Sequence, residues 1–357
     1  MRNIFAIVMI GLCVATIELA MRYMNWPRPI ASGWRTTAKG GPINQFGWRG
    51  QATRPRGPND FVVVLTGAGG VECLSCPADE TLDATFERAL RPYNPNVRVI
   101  TLGSTGYSQD QEYLALKNYF AHERADLVIA WVSIADDVPA NMFRSGHPRP
   151  GQTAVKPTFA LFGKDIRGPT EEIGQPLYRG KIWALLRPLI IDPDRNWASV
   201  LPKPDPGTDS PAKGIETVSH VDDLLEQQRT PWAIWLTPRP ARVKYGIELT
   251  RALFRHMHDI AALRGARFAI LLTPSEAELQ TSAPLTLEHA GHWFVADPAA
   301  RNAAIAEVTD GLDTITLPPE DHELASPEAE QRIMARLAEA LNERNRLTQQ
   351  ALLGPRR

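Results

Sequence analysis

Apolar residues gather along this chain in short runs, separated by stretches with a helical beat. The runs are "FVVVL" at 61–65, "VRVITL" at 97–102, "ADLVIAWV" at 125–132 and "RFAILLTP" at 267–274, with "TITL" at 314–317 as a fifth. Nearly continuous apolar character predicts strands covered on both faces. Between the strands, "DETLDATFERAL" (79–90) sets Leu82, Phe86 and Leu90 on one helical face. Ser108 and Gln111 form a capping-box signal for a helix through "QEYLALKNYF". "IELTRALFRHMHDIAALRG" (247–265) is a long amphipathic helix ending at glycine, and Ser326-Pro327 opens a last helix with Ile333, Leu337 and Leu341 inward. Strands alternating with helices predict an α/β fold: a three-layer parallel sheet flanked by helices, flavodoxin-like in kind. Such sheets hold their sites beyond the carboxyl ends of the strands.

The beat lapses between about 141 and 244, where "HPRPG" and "PKPDPGTDSP" alternate with Trp183, Trp197, Trp232 and Trp235. This is an irregular insertion between the third and fourth strands, without internal repeats, and its tryptophans read as packing. The N-terminus differs again. Ile4 to Ile17 carries no charge, and Glu18 and Arg22 stand i, i+4, so a helix running past the apolar run can pair them. Tyr23, Trp26 and Trp34 supply interfacial aromatics. The chain therefore divides into an anchor at 1–25, a juxtamembrane segment at 26–60, the α/β domain at 61–346 and a tail at 347–357. The basic and aromatic juxtamembrane segment, Trp48 included, is a candidate surface for lipid headgroups or a neighbouring membrane protein. The apolar run also suits a cleaved signal, and on either reading the body is exported.

Composition narrows the chemistry. The formal net charge is -1 over 357 residues, with 43% apolar and 22% charged residues. That is an ordinary globular balance with no electrostatic footprint for nucleic acid. Two of the three cysteines, Cys73 and Cys76, form a CxxC immediately after the first strand's glycine-rich turn. In an oxidising compartment they pair as a small disulfide; a redox dithiol is the alternative. Glu72, Asp79 and Glu80 flank the pair with negative charge, which works against a thiolate. No second pair completes a zinc site, and Pro77 stands where a haem attachment motif needs histidine. No metal or cofactor is expected. His256 and His258 face different ways on their helix, and His289 with His292 read as surface or core residues.

The order "INQFGWRG", "VVVLTGAGG", "LGSTGYSQDQEYL", "ADLVIAWVSIADDVPAN" resembles membrane-anchored bacterial SGNH/GDSL hydrolases. The resemblance implies an SGNH-like domain on the periplasmic side of the inner membrane, held by one N-terminal transmembrane helix. It also implies a glycine–aspartate–serine turn after the first strand, a glycine after the second, an asparagine–aspartate after the third, and an aspartate–histidine arm before the last helix. Here the turn reads Gly67-Ala68-Gly69, so Gly69 stands at the serine position. Gly103 matches the second-strand glycine. Asp136 replaces an amide donor with a carboxylate, and His322 follows Asp321 directly, with Glu323 equally well spaced from the helix cap. A site without a hydroxyl forms no covalent ester intermediate. The sequence thus points to a degenerate hydrolase acting as a binding or scaffolding subunit of a larger membrane complex or envelope component. An ester hydrolase or acetyltransferase using Thr66, Ser75 or Ser104 is the alternative, and a CxxC redox protein the third class. A phosphatase reporter fused after Arg357 is expected to be active outside the cytoplasm, with the protein retained in membranes through alkaline washing. A shorter, soluble product would instead mark a cleaved signal.

Overall fold

The computed structural model describes residues 2–23, 41–52, 54–77, 79–144, 156–169, 197, 200–219, 225–275, 278–279, 282–317 and 327–344. Helix α1 (Arg2–Tyr23) precedes the domain. The domain then runs β1 (Phe61–Gly67), α2 (Gly69–Glu72), α3 (Leu82–Leu90), β2 (Val97–Gly103), α4 (Gln109–His122), β3 (Leu127–Val132) and α5 (Ile134–Met142). After the hairpin β4 (Ala160–Phe162) and β5 (Asp165–Arg167) come β6 (Glu216–Ser219), β7 (Leu236–Thr237) and α6 (Ala241–Leu263). The chain closes with β8 (Arg267–Leu272), β9 (Leu285–His289), β10 (His292–Ala296), α7 (Pro298–Thr309), β11 (Thr314–Thr316) and α8 (Pro327–Glu343).

All five sequence-predicted strands form one parallel sheet in the order β11-β8-β3-β1-β2. Counting only these strands, the order is 2-1-3-4-5, whose switch point lies between β1 and β3. Alternate residues of each strand feed opposite faces. Val62, Val64, Val128 and Ala130 pack with α4, α5 and α6, while Phe61, Val63, Leu65 and Leu127 pack with α3 and α8. That two-sided burial is why the strands read as unbroken apolar runs. The α/β fold with a parallel sheet flanked by helices is therefore present.

Several elements were not anticipated. A second sheet, β6-β9-β10-β7, joins two strands of the insertion to a hairpin that follows β8. Its Leu287, Phe294 and Ala296 extend the core on the α6 face. Trp197 and Trp235 of the insertion are buried, as packing residues should be. Residues 41–52 and 54–60, within the span assigned by sequence to a juxtamembrane segment, lie on the domain itself. Asn44 Nδ2 donates to Thr101 O at 2.9 Å and Thr101 Oγ1 to Arg49 O at 2.6 Å, fastening the segment to edge strand β2. Arg56 makes a two-pronged contact with Asp126 at 2.7 and 2.9 Å, so this basic residue is turned to an internal partner.

Among the described residues, no helix is long and apolar enough to cross a membrane. The uncharged run Ile4–Ile17 of α1 reaches roughly 20 Å, against about 30 Å for a hydrocarbon core. Beyond it, Arg22 Nε meets Glu18 Oε1 at 2.7 Å, as the spacing predicted.

Two glycines fix the closeness of the sheet's carboxyl edge. A Cβ on Gly103 would lie 2.6 Å from Gly67 O and from Val71, and one on Gly67 would lie 2.7 Å from Trp131 O. Gly103→Ala is expected to cost about 1–3 kcal/mol or more, as overpacking against backbone does. Gly69→Ala, whose Cβ meets nothing nearer than 3.4 Å, should change the urea midpoint little. Equal effects of the two substitutions would contradict this reading of the edge.

Candidate functional site

Strand β1 ends at Gly67, paired in register with Gly103 of β2 and Trp131 of β3. This is the switch point, and the turn Gly67-Ala68-Gly69 leads from it into α2. Gly69 leaves space: the nearest atom to an added Cβ is Thr105 Oγ1 at 3.4 Å. At Gly69 the turn therefore has room for a Cβ and presents none.

The chain's own groups occupy the surroundings. Glu72, buried in α2, accepts the backbone N–H of Thr105 at 2.6 Å. A carboxylate thus holds a donor of the loop following Gly103, where an oxyanion would need one. The indole of Trp131 lies across the edge. Its ring is 3.3 Å from where a Gly70 Cβ would stand, and its Nε1 donates to Thr273 Oγ1 beyond β8 at 3.2 Å. Trp131, invisible as a site residue in a strand-like run, bridges β1 and β8 over β3.

Asp136 is not in a loop. It lies in the first turn of α5, where it accepts from Ser133 Oγ at 2.6 Å. A carboxylate there complements the helix N-terminus. Its neighbour Asp137 is buried and accepts the Ser133 N–H at 3.1 Å. Burial pushes the Asp137 carboxyl up to about 8, opposed by a hydrogen bond from Gln109 and reinforced by the charge of Asp136. The candidate substitute nucleophiles are poorly placed. Thr66 is buried and bonds Leu102 O and Glu112 Oε2, both at 3.3 Å; Ser104 is buried; Ser75 is exposed on the CxxC loop. His322, Asp321 and Glu323 lie outside the described residues, as do Trp26 and Trp34.

Below the corner, the start of α4 carries four consecutive buried polar residues, Gln109, Asp110, Gln111 and Glu112. Lys156 from the insertion is fully enclosed, paired with Asp110 and donating to Ser108 Oγ at 2.9 Å. Asn141 Nδ2 links Gln109 Oε1 at 2.6 Å to Thr250 Oγ1 at 2.9 Å. Burial raises the carboxyls of both Asp110 and Glu112, Lys156 opposing the shift at Asp110 and the Asp137 charge adding to it at Glu112. The Lys156 ammonium thus pairs with Asp110 and also favours the charged form of Asp137.

Cys73 and Cys76 are joined as the expected disulfide, with Cα atoms 5.3 Å apart. Arg49 grips this loop through the carbonyls of Cys73 and Cys76, the latter at 2.6 Å. Glu330 of α8 meets both sulfurs, and the three residues bring their ligand-type atoms within 4.8 Å of one another. In the bridged state two disulfide sulfurs offer a cation no charge, and the Arg49 guanidinium is close by. Trp48, expected at a membrane or partner surface, is 3% exposed and donates to Tyr107 OH at 3.2 Å, because residues 41–52 fold back onto β2. Tyr23 is exposed at the end of α1. His289 and His292 pair across the β9–β10 hairpin, and His256 contacts Asp165 at 2.6 Å. A small pocket of about 10 Å³ opens at the opposite end of β1, around Val62 and Arg98.

No family model matches the chain, and no curated protein matches it. Among solved structures, one crystal structure aligns with 80% of this chain and 97% of its own at 12% identity and a TM-score of 0.35. A likeness that low carries no argument about family or activity.

The buried carboxyls predict a pH dependence. An acid whose folded pKa is raised stays neutral while the unfolded chain ionises, so stability falls as pH rises from about 4 to about 8. Asp137→Asn should flatten this slope by as much as ~1.4 kcal/mol per pH unit and raise stability at pH 8. Urea titrations across that range decide it; an unchanged slope would show that Asp137 is already ionised in the fold.

Proposed function

We propose that this chain is a non-catalytic, SGNH-like subunit of the bacterial inner membrane, its α/β domain periplasmic, which binds or scaffolds a larger membrane complex. The observation that carries this reading is the Glu72 carboxylate on the Thr105 N–H at 2.6 Å, beside a turn with no hydroxyl. Acyl transfer requires a nucleophile and free donors aimed at the developing oxyanion. At this corner the hydroxyl is missing, and a negative charge already takes the Thr105 donor. The Trp131 indole across the same edge fits a site turned over to packing.

In this reading α1 holds the domain at the bilayer. Its Ile10, Leu12, Ile17 and Leu19 are more than half exposed, at 65%, 56%, 53% and 70%. Such a surface suits acyl chains or a neighbouring helix. The Glu18–Arg22 pair reduces the cost of carrying Leu19 to Met21 into the apolar zone. On this reading the occupant of the domain's outer surface is another membrane-associated subunit.

The purified protein should show neither burst nor turnover with activated esters above a heat-treated control. Gly69→Ser should not restore activity, although Gly69 has room for the side chain, because Glu72 remains. After mild detergent extraction the chain should migrate on native gels in an assembly larger than itself. Labelling of Thr66, Ser75 or Ser104 by a serine-directed phosphonate would overturn the non-catalytic reading; a monodisperse single chain would overturn the scaffolding one.

A further inference from the structure

Glu330 stands in the first turn of α8 and is 8% exposed. Its Oε2 lies 3.0 Å from Cys76 Sγ and in direct contact with Cys73 Sγ. A disulfide has no S–H to donate, and an ionised carboxylate has no proton to give. The contact is favourable only when the carboxyl itself carries a proton and points it at a sulfur. Once the bridge is reduced the roles reverse, and an S–H can donate to the carboxylate. The geometry therefore links the redox state of the pair to a proton on Glu330.

Charged groups face this carboxyl from several elements. Arg49 approaches from the segment before β1, but its guanidinium donates to the carbonyls of Glu72, Cys73, Cys76 and Pro77. Glu72 of α2 turns to Thr105, and Glu80, ahead of α3, is bonded by Gln331 at 3.4 Å. Glu328 precedes it on its own helix. Burial raises Glu330 to about 7, with Arg49 pulling the other way. That places its proton exchange in the range where thiol chemistry runs.

We infer that Cys73–Cys76 is an exchangeable disulfide, with Glu330 as the acid that protonates the departing sulfur when a dithiol, small or protein-borne, reduces it. Cys76 is 8% exposed against 1% for Cys73, so the incoming thiolate attacks Cys76 Sγ. The S–S bond breaks, its electron pair passes to Cys73 Sγ, and that sulfur takes the Glu330 proton. The reagent's second thiolate then attacks its own sulfur in the mixed disulfide. This releases Cys76 as a thiolate that solvent protonates, and the reagent leaves oxidised. Two electrons enter the pair; the reagent gives two protons to solvent, Cys76 takes one back, Cys73 takes the Glu330 proton, and Glu330 is left as a carboxylate. Reoxidation runs the steps backwards, with the Glu330 carboxylate removing the Cys73 proton. This activity is independent of the binding role proposed above.

The test uses the full chain in detergent, reduced anaerobically by dithiothreitol from pH 5.5 to 9. Free thiols are trapped with a maleimide that shifts gel mobility. Each rate is divided by the reagent's thiolate fraction. For wild type this normalised rate should be flat below about pH 7. Above it, the rate should fall about tenfold per unit as the general acid is lost. Glu330→Gln should give a flat profile, about tenfold or more slower at pH 6. A wild-type profile without a break would remove Glu330 as the acid, and a bridge reduced only after urea unfolding would show an inert structural disulfide. The break is read in wild type, so the test stands even if the variant folds poorly.

Discussion

The buried Lys156 ammonium organises the centre of this domain. Lys156 is enclosed among Ser108, Asp110 and the start of α4. That polar knot reaches Thr66 of β1, Asn141 of α5 and Thr250 of α6. Removing one partner of such a pair leaves an uncompensated buried charge, a loss of about 3–5 kcal/mol. The pair need not add much net stability of its own. What it does is specify: only one placement of the insertion satisfies Asp110, and only one start of α4 brings Gln109 to Asn141. The long irregular segment is thereby tied to the end of β1, just below the corner where a ligand site belongs.

The corner above that knot is closed by two independent means. Gly67 and Gly103 let β1, β2 and α2 approach until no side chain fits between them. Glu72 and Trp131 then occupy the donor and the roof. Gly69 differs from the other two glycines, since space remains beside it. The missing hydroxyl is thus the least constrained feature of the corner, and the inward carboxylate the more decisive one.

The parallel sheet was legible because strands buried on both faces leave a composition signal that survives without neighbours. Helices with a clear apolar stripe, such as Leu82, Phe86 and Leu90 of α3, were legible for the same reason. The start of α5 was not: Asp136, Asp137 and Pro139 resemble a loop, yet the two acidic residues suit the first turn of a helix, and Pro139 lies inside it. Helix α7, rich in alanine, offers little contrast between its faces, and the β9–β10 hairpin is short. Trp48 read as an interfacial aromatic because sequence alone cannot show that its segment folds back on β2. The "SQDQE" run gave only a capping-box signal, since the distant Lys156 is what gives those groups a reason to be inside. Glu330 gave no signal at all; its chemistry depends on a partner 254 residues away.

That separation has a temporal side. The cysteines sit three residues apart, so their bridge closes within a local loop and can form as soon as the segment meets an oxidant. The carboxyl that modifies them arrives only when α8, the last described element, packs against α3 and covers the pair. Under the exchange proposed above, the last described helix is the latch that closes over the bridge and completes its proton supply.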